Sequence, residues 1–97
     1  MTDAMTEEAL FELLSLECRV FIDSSVRYYN ALGQLHRVHG PAVKYVEGAR
    51  VWYQNGRLHR LDGPAVEYTE GGKSWFINGK ALTEAEWQRA VASMENV

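Results

Sequence analysis

Residues Val26–Gly48 read VRYYNALGQLHRVHGPAVKYVEG, and Ala49–Gly71 read ARVWYQNGRLHRLDGPAVEYTEG. Set one above the other without a gap, the two strings agree at 12 of 23 places. A partial third copy, GKSWFINGKAL, follows at Gly72–Leu82. In this register Tyr29, Trp52 and Trp75 fall 23 residues apart, as do Gly33, Gly56 and Gly79, with no insertion needed. A fixed period of this length marks an array of supersecondary units, each too small to bury its own apolar face. The array therefore decides the fold, and it builds a surface by repetition.

Each copy reads as strands. In AVKYV and AVEYT, Val43 shares a face with Tyr45, and Val66 with Tyr68. In RVWYQ and KSWFI, Val51 shares a face with Tyr53, and Ser74 with Phe76. This alternation is that of half-buried β-strands. Asn55-Gly56 and Asn78-Gly79 suit tight hairpins that need positive φ angles. Glu47-Gly48 and Glu70-Gly71 mark the opposite turns. Pro41 and Pro64 have no N–H to give a ladder, so each is expected to begin a strand or sit at an edge. The expected body is an antiparallel meander over residues 26–82.

A helix is expected at each end. Over residues 5–18, Leu10, Leu13 and Leu14 form an apolar stripe, Thr6 suits the N-cap, and Glu7 and Glu8 suit the positive end of the helix dipole. A short strand, RVFID, is expected before Ser24-Ser25. Over residues 83–96, Thr83 and Glu86 have capping-box spacing, and Trp87, Ala90, Val91 and Met94 share one face. Both helices are expected to pack on the sheet, in a single α+β domain spanning residues 1–97.

A period of two divides the sheet residues into two faces. Tyr28, Val43, Tyr45, Val51, Tyr53, Val66, Tyr68 and Phe76 form the expected core face. Arg27, Tyr29, Lys44, Arg50, Trp52, Glu67, Lys73 and Trp75 fall on the other. Its aromatic row has two readings. Either the rings are covered, with long basic side chains lying past them, or the face is open and binds a partner through Tyr29, Arg50, Trp52, Lys73 and Trp75, since Trp, Tyr and Arg dominate binding hot spots.

The net charge of −3 is unevenly spread. Residues 1–18 carry five acids and no base. Residues 19–82 carry nine bases and five acids, and residues 83–97 carry three acids and one base. So small an overall charge argues against non-specific nucleic-acid binding by the whole chain. No apolar run reaches the length of a membrane span. The acidic start is unlike a secretion signal, and a lone Cys18, read as a small buried hydrophobe, suits a reducing compartment. A cytoplasmic location is the expectation.

LHRVHGPAV and LHRLDGPAV are the most distinctive strings. His36, Arg37, His59 and Arg60 could serve as base and electrostatic clamp. A motif that recurs in each copy is first a packing solution, however, in which the same side chains meet the next unit. Asp62 becomes His39 in the first copy, which weakens any scheme that needs its carboxylate. His36, Arg37, His59, Arg60 and Asp62 are therefore read as structural. His36, His39, His59 and Cys18 form only a weak zinc pattern, for structural zinc takes four ligands at defined spacing. No phosphate loop, nucleophile elbow or HExxH is present. No enzyme activity, cofactor or metal is expected.

The second unit, WYQNGRLHRLDGPAVEYTEGGK, resembles a MORN-type repeat in length, in its aromatic before Asn-Gly, and in the basic residue and His that follow. It departs where Arg and then Gly-Pro-Ala follow the His. In this HRxDGPA form it is similar to repeats of small phage, prophage and large-virus proteins, and more distantly to a MORN-like antitoxin family. The resemblance implies an elongated antiparallel sheet that serves as a platform for protein contacts, without catalysis. The function expected is non-enzymatic protein binding, with an inhibitor of a host defence factor, such as an anti-CRISPR protein, as its concrete form. Glu7, Glu8 and Glu12 would then compete with nucleic acid for a basic groove on the host protein. The alternatives are nucleic-acid binding by the aromatic, basic face, by ring stacking, or an antitoxin-like role. MORN repeats have membrane links, but neither acidic helix supports membrane binding.

Overall fold

The computed structural model describes residues 16–95. The chain is α+β. Its strands are β1 (Glu17–Val20), β2 (Val26–Tyr29), β3 (Val43–Lys44), β4 (Arg50–Val51), β5 (Tyr53–Gln54), β6 (Arg57–Leu58), β7 (Val66–Glu67), β8 (Lys73–Ile77) and β9 (Lys80–Leu82), followed by a helix at Glu84–Glu95. Seven strands form one antiparallel sheet in the order β1-β2-β3-β4-β7-β8-β9, and β5 and β6 pair as a separate hairpin. Residues 5–15 of the expected N-terminal helix, with Glu7, Glu8 and Glu12, lie outside the described residues. Its expected last turn does not form. Glu17 and Cys18 belong to β1, where they pair with Tyr29 and Tyr28, and Cys18 is exposed rather than buried.

The hairpin turns follow the chemistry of their residues. Asn55 and Gly56 have φ of 52° and 80°, and Asn78 and Gly79 have 50° and 83°. Two successive positive φ values match the right-handed twist of the flanking strands. At the opposite ends, Tyr45 N–H donates to Ala49 and Gly48 N–H to Tyr45. The same pair of bonds recurs from Tyr68 to Gly72 and from Gly71 to Tyr68. It occurs a third time, from Phe21 to Ser25 and from Ser24 to Phe21. Ser24 there takes the positive φ of 68° that glycine takes elsewhere. The β1–β2 hairpin is thus built like β3–β4 and β7–β8, although the sequence of β1 shows no likeness to theirs.

The first copy contains one residue more than the ungapped alignment allows. Tyr29 bridges Leu35 across a five-residue loop, Asn30–Gln34. Tyr53 pairs Leu58 across only four, Gln54–Arg57. Tyr28 N–H donates to Ala42 as Trp52 N–H donates to Ala65. Tyr28, not Tyr29, therefore stands where Trp52 stands. A one-residue slip exchanges the two faces of a strand. Arg27 accordingly lies opposite Val43, in line with Val51, Val66 and Ser74. Val26 lies opposite Lys44, in line with Arg50, Glu67 and Lys73. The expected faces hold for β3, β4, β7 and the start of β8, and are reversed in β2.

The buried set is small: Ala42, Val43, Trp52, Ala65 and Trp87, with Ser25, His59 and Pro64. Tyr68, expected in the core, is half-exposed, with its hydroxyl 3.3 Å from Ser74 Oγ. The helix begins with the expected reciprocal cap. Glu86 N–H donates to Thr83 Oγ1 at 3.1 Å, and Thr83 N–H to Glu86 Oε1 at 2.9 Å. It packs on β8 through Trp87, whose ring lies 4.7 Å from that of Trp75, and Trp87 Nε1–H donates to the Arg60 carbonyl at 2.9 Å.

Candidate functional site

The LHRxxGPAV strings form the joints between successive copies. Gly56 N–H donates to the Leu35 carbonyl, Asn55 N–H to His36 Nδ1 at 2.9 Å, and Arg37 N–H to the Tyr53 carbonyl. One copy on, Gly79 N–H donates to Leu58, Asn78 N–H to His59 Nδ1 at 3.0 Å, and Arg60 N–H to Phe76. Each Asn-Gly turn thus docks on the Leu-His-Arg segment of the copy before it. A ring nitrogen that accepts from a backbone N–H carries no proton, which places the proton of the neutral ring on Nε2. Burial lowers the pKa of His59 below the usual histidine value, in keeping with this neutral role.

The arginines cover the aromatic rings. Arg60 Cζ lies 3.7 Å from the centre of the Trp52 ring, and Arg37 Cζ 4.1 Å from that of Tyr28. Their Nη1 groups donate to the carbonyls of Pro64 at 3.0 Å and Pro41 at 3.4 Å. The glycine of Gly-Pro-Ala makes room for this. A Cβ on Gly63 would come 2.7 Å from Arg60 Cζ, and one on Gly40 would come 3.0 Å from Arg37 Cζ. The two arginines differ in their counter-charges. Arg60 Nε bonds Asp62 Oδ1 at 2.8 Å, and its Nη1 bonds Glu67 Oε2 at 3.0 Å. The matching positions in the first copy are His39 and Lys44, and Arg37 Nε is buried with no hydrogen-bond partner among the described residues.

The residues expected to bind a partner do not form one open stripe. Trp52 is only 9% exposed beneath Arg60, Trp75 is half-buried against Trp87, and Tyr29 has Arg19 Cζ 4.8 Å over its ring. Arg50 and Lys73 are exposed on either side of Glu67 across the strands. What lies open is a groove of about 260 Å³ between the two equivalent loops. Val38 lines it from one copy and Leu61 and Asp62 from the next, with Trp52, Gln54, His59 and Arg60. Val38 is 48% exposed and Leu61 41%. These two aliphatic residues occupy the same place in the motif, one after each arginine. Sequence reading missed them, although a bulky apolar residue between Arg and a polar residue, 23 positions apart in two loops, was a visible signal.

Among the described residues, no group of three His, Cys, Asp or Glu could hold a metal ion. No described helix is long and apolar enough to cross a membrane. No family model matches the chain, and no curated protein or solved structure matches it.

Proposed function

We propose that the chain is a non-enzymatic protein-binding module whose contact surface is the groove between the His36–Gly40 and His59–Gly63 loops. The observation that carries this is the pair Val38 and Leu61, held half-exposed on two equivalent loops beside Trp52. Apolar side chains displayed in register beside a partly covered indole offer desolvation energy to a partner, with polar Gln54 and Asp62 at the rim. The histidines support the reading from the other side. Both ring Nδ1 atoms are engaged by backbone N–H groups, so neither is poised to take a proton from a substrate through that atom. The 23-residue units are read as MORN-like repeats of the HRxDGPA type. On that resemblance the partner is a host protein, and the concrete form is a viral accessory inhibitor of a defence factor.

The test is affinity capture from nuclease-treated host lysate with the intact chain and with a Val38→Asp, Leu61→Asp variant. The expected result is a stoichiometric protein recovered by the first and lost by the second, with both chains equally folded by circular dichroism. Equal recovery by the variant, or recovery abolished by nuclease, overturns the assignment.

A further inference from the structure

Strand β1 closes one side of the sheet and β9 the other. All residues of β1 are exposed, Val20 at 70%, and Ile22 in the turn that follows is fully exposed. Among the described residues β1 pairs only with β2. The hairpin fixes which way its backbone faces. Phe21 N–H donates to Ser25, so by the alternation of an antiparallel pair Phe21, Arg19 and Glu17 turn their N–H and C=O groups toward β2. Those of Cys18 and Val20 point outward, along the edge. Edge strands are commonly guarded by proline, a bulge or charge. β1 has no proline, and its register against β2 is unbroken. Its two charges, Glu17 and Arg19, stand 2.8 Å apart and satisfy each other.

The order of residues in β1 is complementary to itself. Set a second copy antiparallel to the first about an axis at Cys18, and Glu17 of each copy faces Arg19 of the other. On the opposite face Cys18 meets Cys18, and Val20 meets Leu16 of the second copy. Acid lies against base on one face and apolar against apolar on the other. The residues this register places in hydrogen-bonded pairs include Cys18 and Val20, the ones whose backbone groups point outward. The Glu17–Arg19 pair within one chain is more than half exposed, so exchanging it for the same pair between chains costs little. The other edge fails this comparison. Turned about Ala81, β9 sets Lys80 against Leu82.

We infer that β1 is a docking edge for β1 of a second copy of this chain, antiparallel and centred on Cys18. The sheet of one chain then runs on into the sheet of the next. None of the residues lining the groove belongs to β1, so the two surfaces act separately. A contact of one short strand buries less than a stable interface needs, so the pair forms at high concentration and parts on dilution.

The experiment is sedimentation equilibrium of the full, reduced chain from about 10 µM to about 1 mM. The expected result is a monomer that passes into a dimer across this range. Glu17→Arg and Arg19→Glu each set like charges opposite one another twice, and each should weaken pairing at least about tenfold. The double variant Glu17→Arg, Arg19→Glu restores the match and should restore the dimer. Val38→Asp, Leu61→Asp should dimerise as the unaltered chain does. Cross-linking reports the register, because the Cα atoms of a hydrogen-bonded antiparallel pair lie about 5.5 Å apart, within reach of a disulfide. Added glutathione disulfide should oxidise two Cys18 thiols to one disulfide between chains and leave as two glutathione thiols, which take up the two protons. In a Cys18→Ser, Val20→Cys variant the two thiols stand about 14 Å apart along the strands and should not join. A monomer throughout, single charge variants that pair unchanged, a double variant that stays monomeric, or equal cross-linking from position 20 overturns the inference. Loss of the dimer in the groove variant overturns it too, by moving the contact to the groove.

Discussion

At the scale of single residues, one joint accounts for each letter of the repeated string. His accepts the next turn's N–H, Arg covers an aromatic ring, Gly leaves space for Arg, and the Pro carbonyl takes the Arg Nη1–H. Removing the acceptor from the buried joint should be costly. His59→Ala is expected to destabilise by about 1–3 kcal/mol, and His36→Ala, at a more exposed bond, by less, as measured by chemical denaturation. Because the pKa of folded His59 is depressed, the unfolded chain binds its proton first as pH falls. This contribution is fully present above the unfolded histidine value, near ~6.5, and declines as pH drops through it toward the lower folded value. Denaturation midpoints measured from pH 8 to pH 5 should fall, and less steeply in a His59→Gln variant. Gly63→Ala should displace Arg60 from Trp52, destabilising by about 1–3 kcal/mol and changing the Trp emission. The recurrence of these residues was legible in the sequence. Their partners were not, because each bond is made to a different copy.

At the scale of elements, the turns and the cap were read from local chemistry and hold for local reasons. Asn-Gly turns and the Thr83–Glu86 cap involve neighbours within a few residues, so spacing alone determines them. The helix is fastened through Trp87, whose ring lies tilted at 50° against that of Trp75 and whose Nε1–H donates to the Arg60 carbonyl. Trp87→Ala is expected to cost about 3–5 kcal/mol and to release the helix, read as a loss of far-ultraviolet ellipticity at 222 nm on mild heating. The β1–β2 turn offers the opposite change. Ser24 occupies a positive φ, and Asp23 Oδ1 accepts the Ser25 N–H at 2.9 Å to hold the turn. Ser24→Gly should raise stability, by up to about 1 kcal/mol in thermal denaturation, since glycine adopts this backbone without strain. In the sequence a strand, RVFID, reads ahead of Ser24-Ser25, two residues later than β1 stands, and the hairpin's likeness to the others is missed because its backbone repeats while its side chains do not.

At the scale of the whole molecule, the array is bounded differently at its two sides. At the C-terminal side Ala81, Leu82 and Thr83 stand where Leu58, His59 and Arg60 stand one copy earlier. With no His to receive another Asn-Gly turn, the chain leaves the sheet and begins the helix. At the other side β1 is an exposed strand that among the described sheet residues pairs only with β2. Opening should therefore start there. Native-state hydrogen exchange is expected to be faster at Cys18–Val20 than at Trp52 and Ala65, and Cys18 should react with a thiol reagent without global unfolding. Protection of β1 equal to that of the buried centre would show instead that the sheet opens as one unit.

The sequence by itself determined the alternation of strands and turns, their antiparallel pairing, the capped C-terminal helix and the places where joints occur, but not the departure of the β5–β6 hairpin from the sheet between β4 and β7. What it determined follows from turn chemistry and alternation, which act over a few residues. Only the tertiary structure decided the register of the first copy. Ahead of Gly33 the ungapped alignment rests on one identity, Arg27 with Arg50, and the gapped one on another, Tyr29 with Tyr53. The strings are balanced, and the hydrogen bonds from Tyr28 to Ala42 and from Trp52 to Ala65 break the tie. The tertiary structure likewise decided that the aromatic rings are covered and that the open ground lies between two loops. Which side of a ring a guanidinium takes, and whether a carboxylate stands beside it, depends on side chains that meet only when the copies stack.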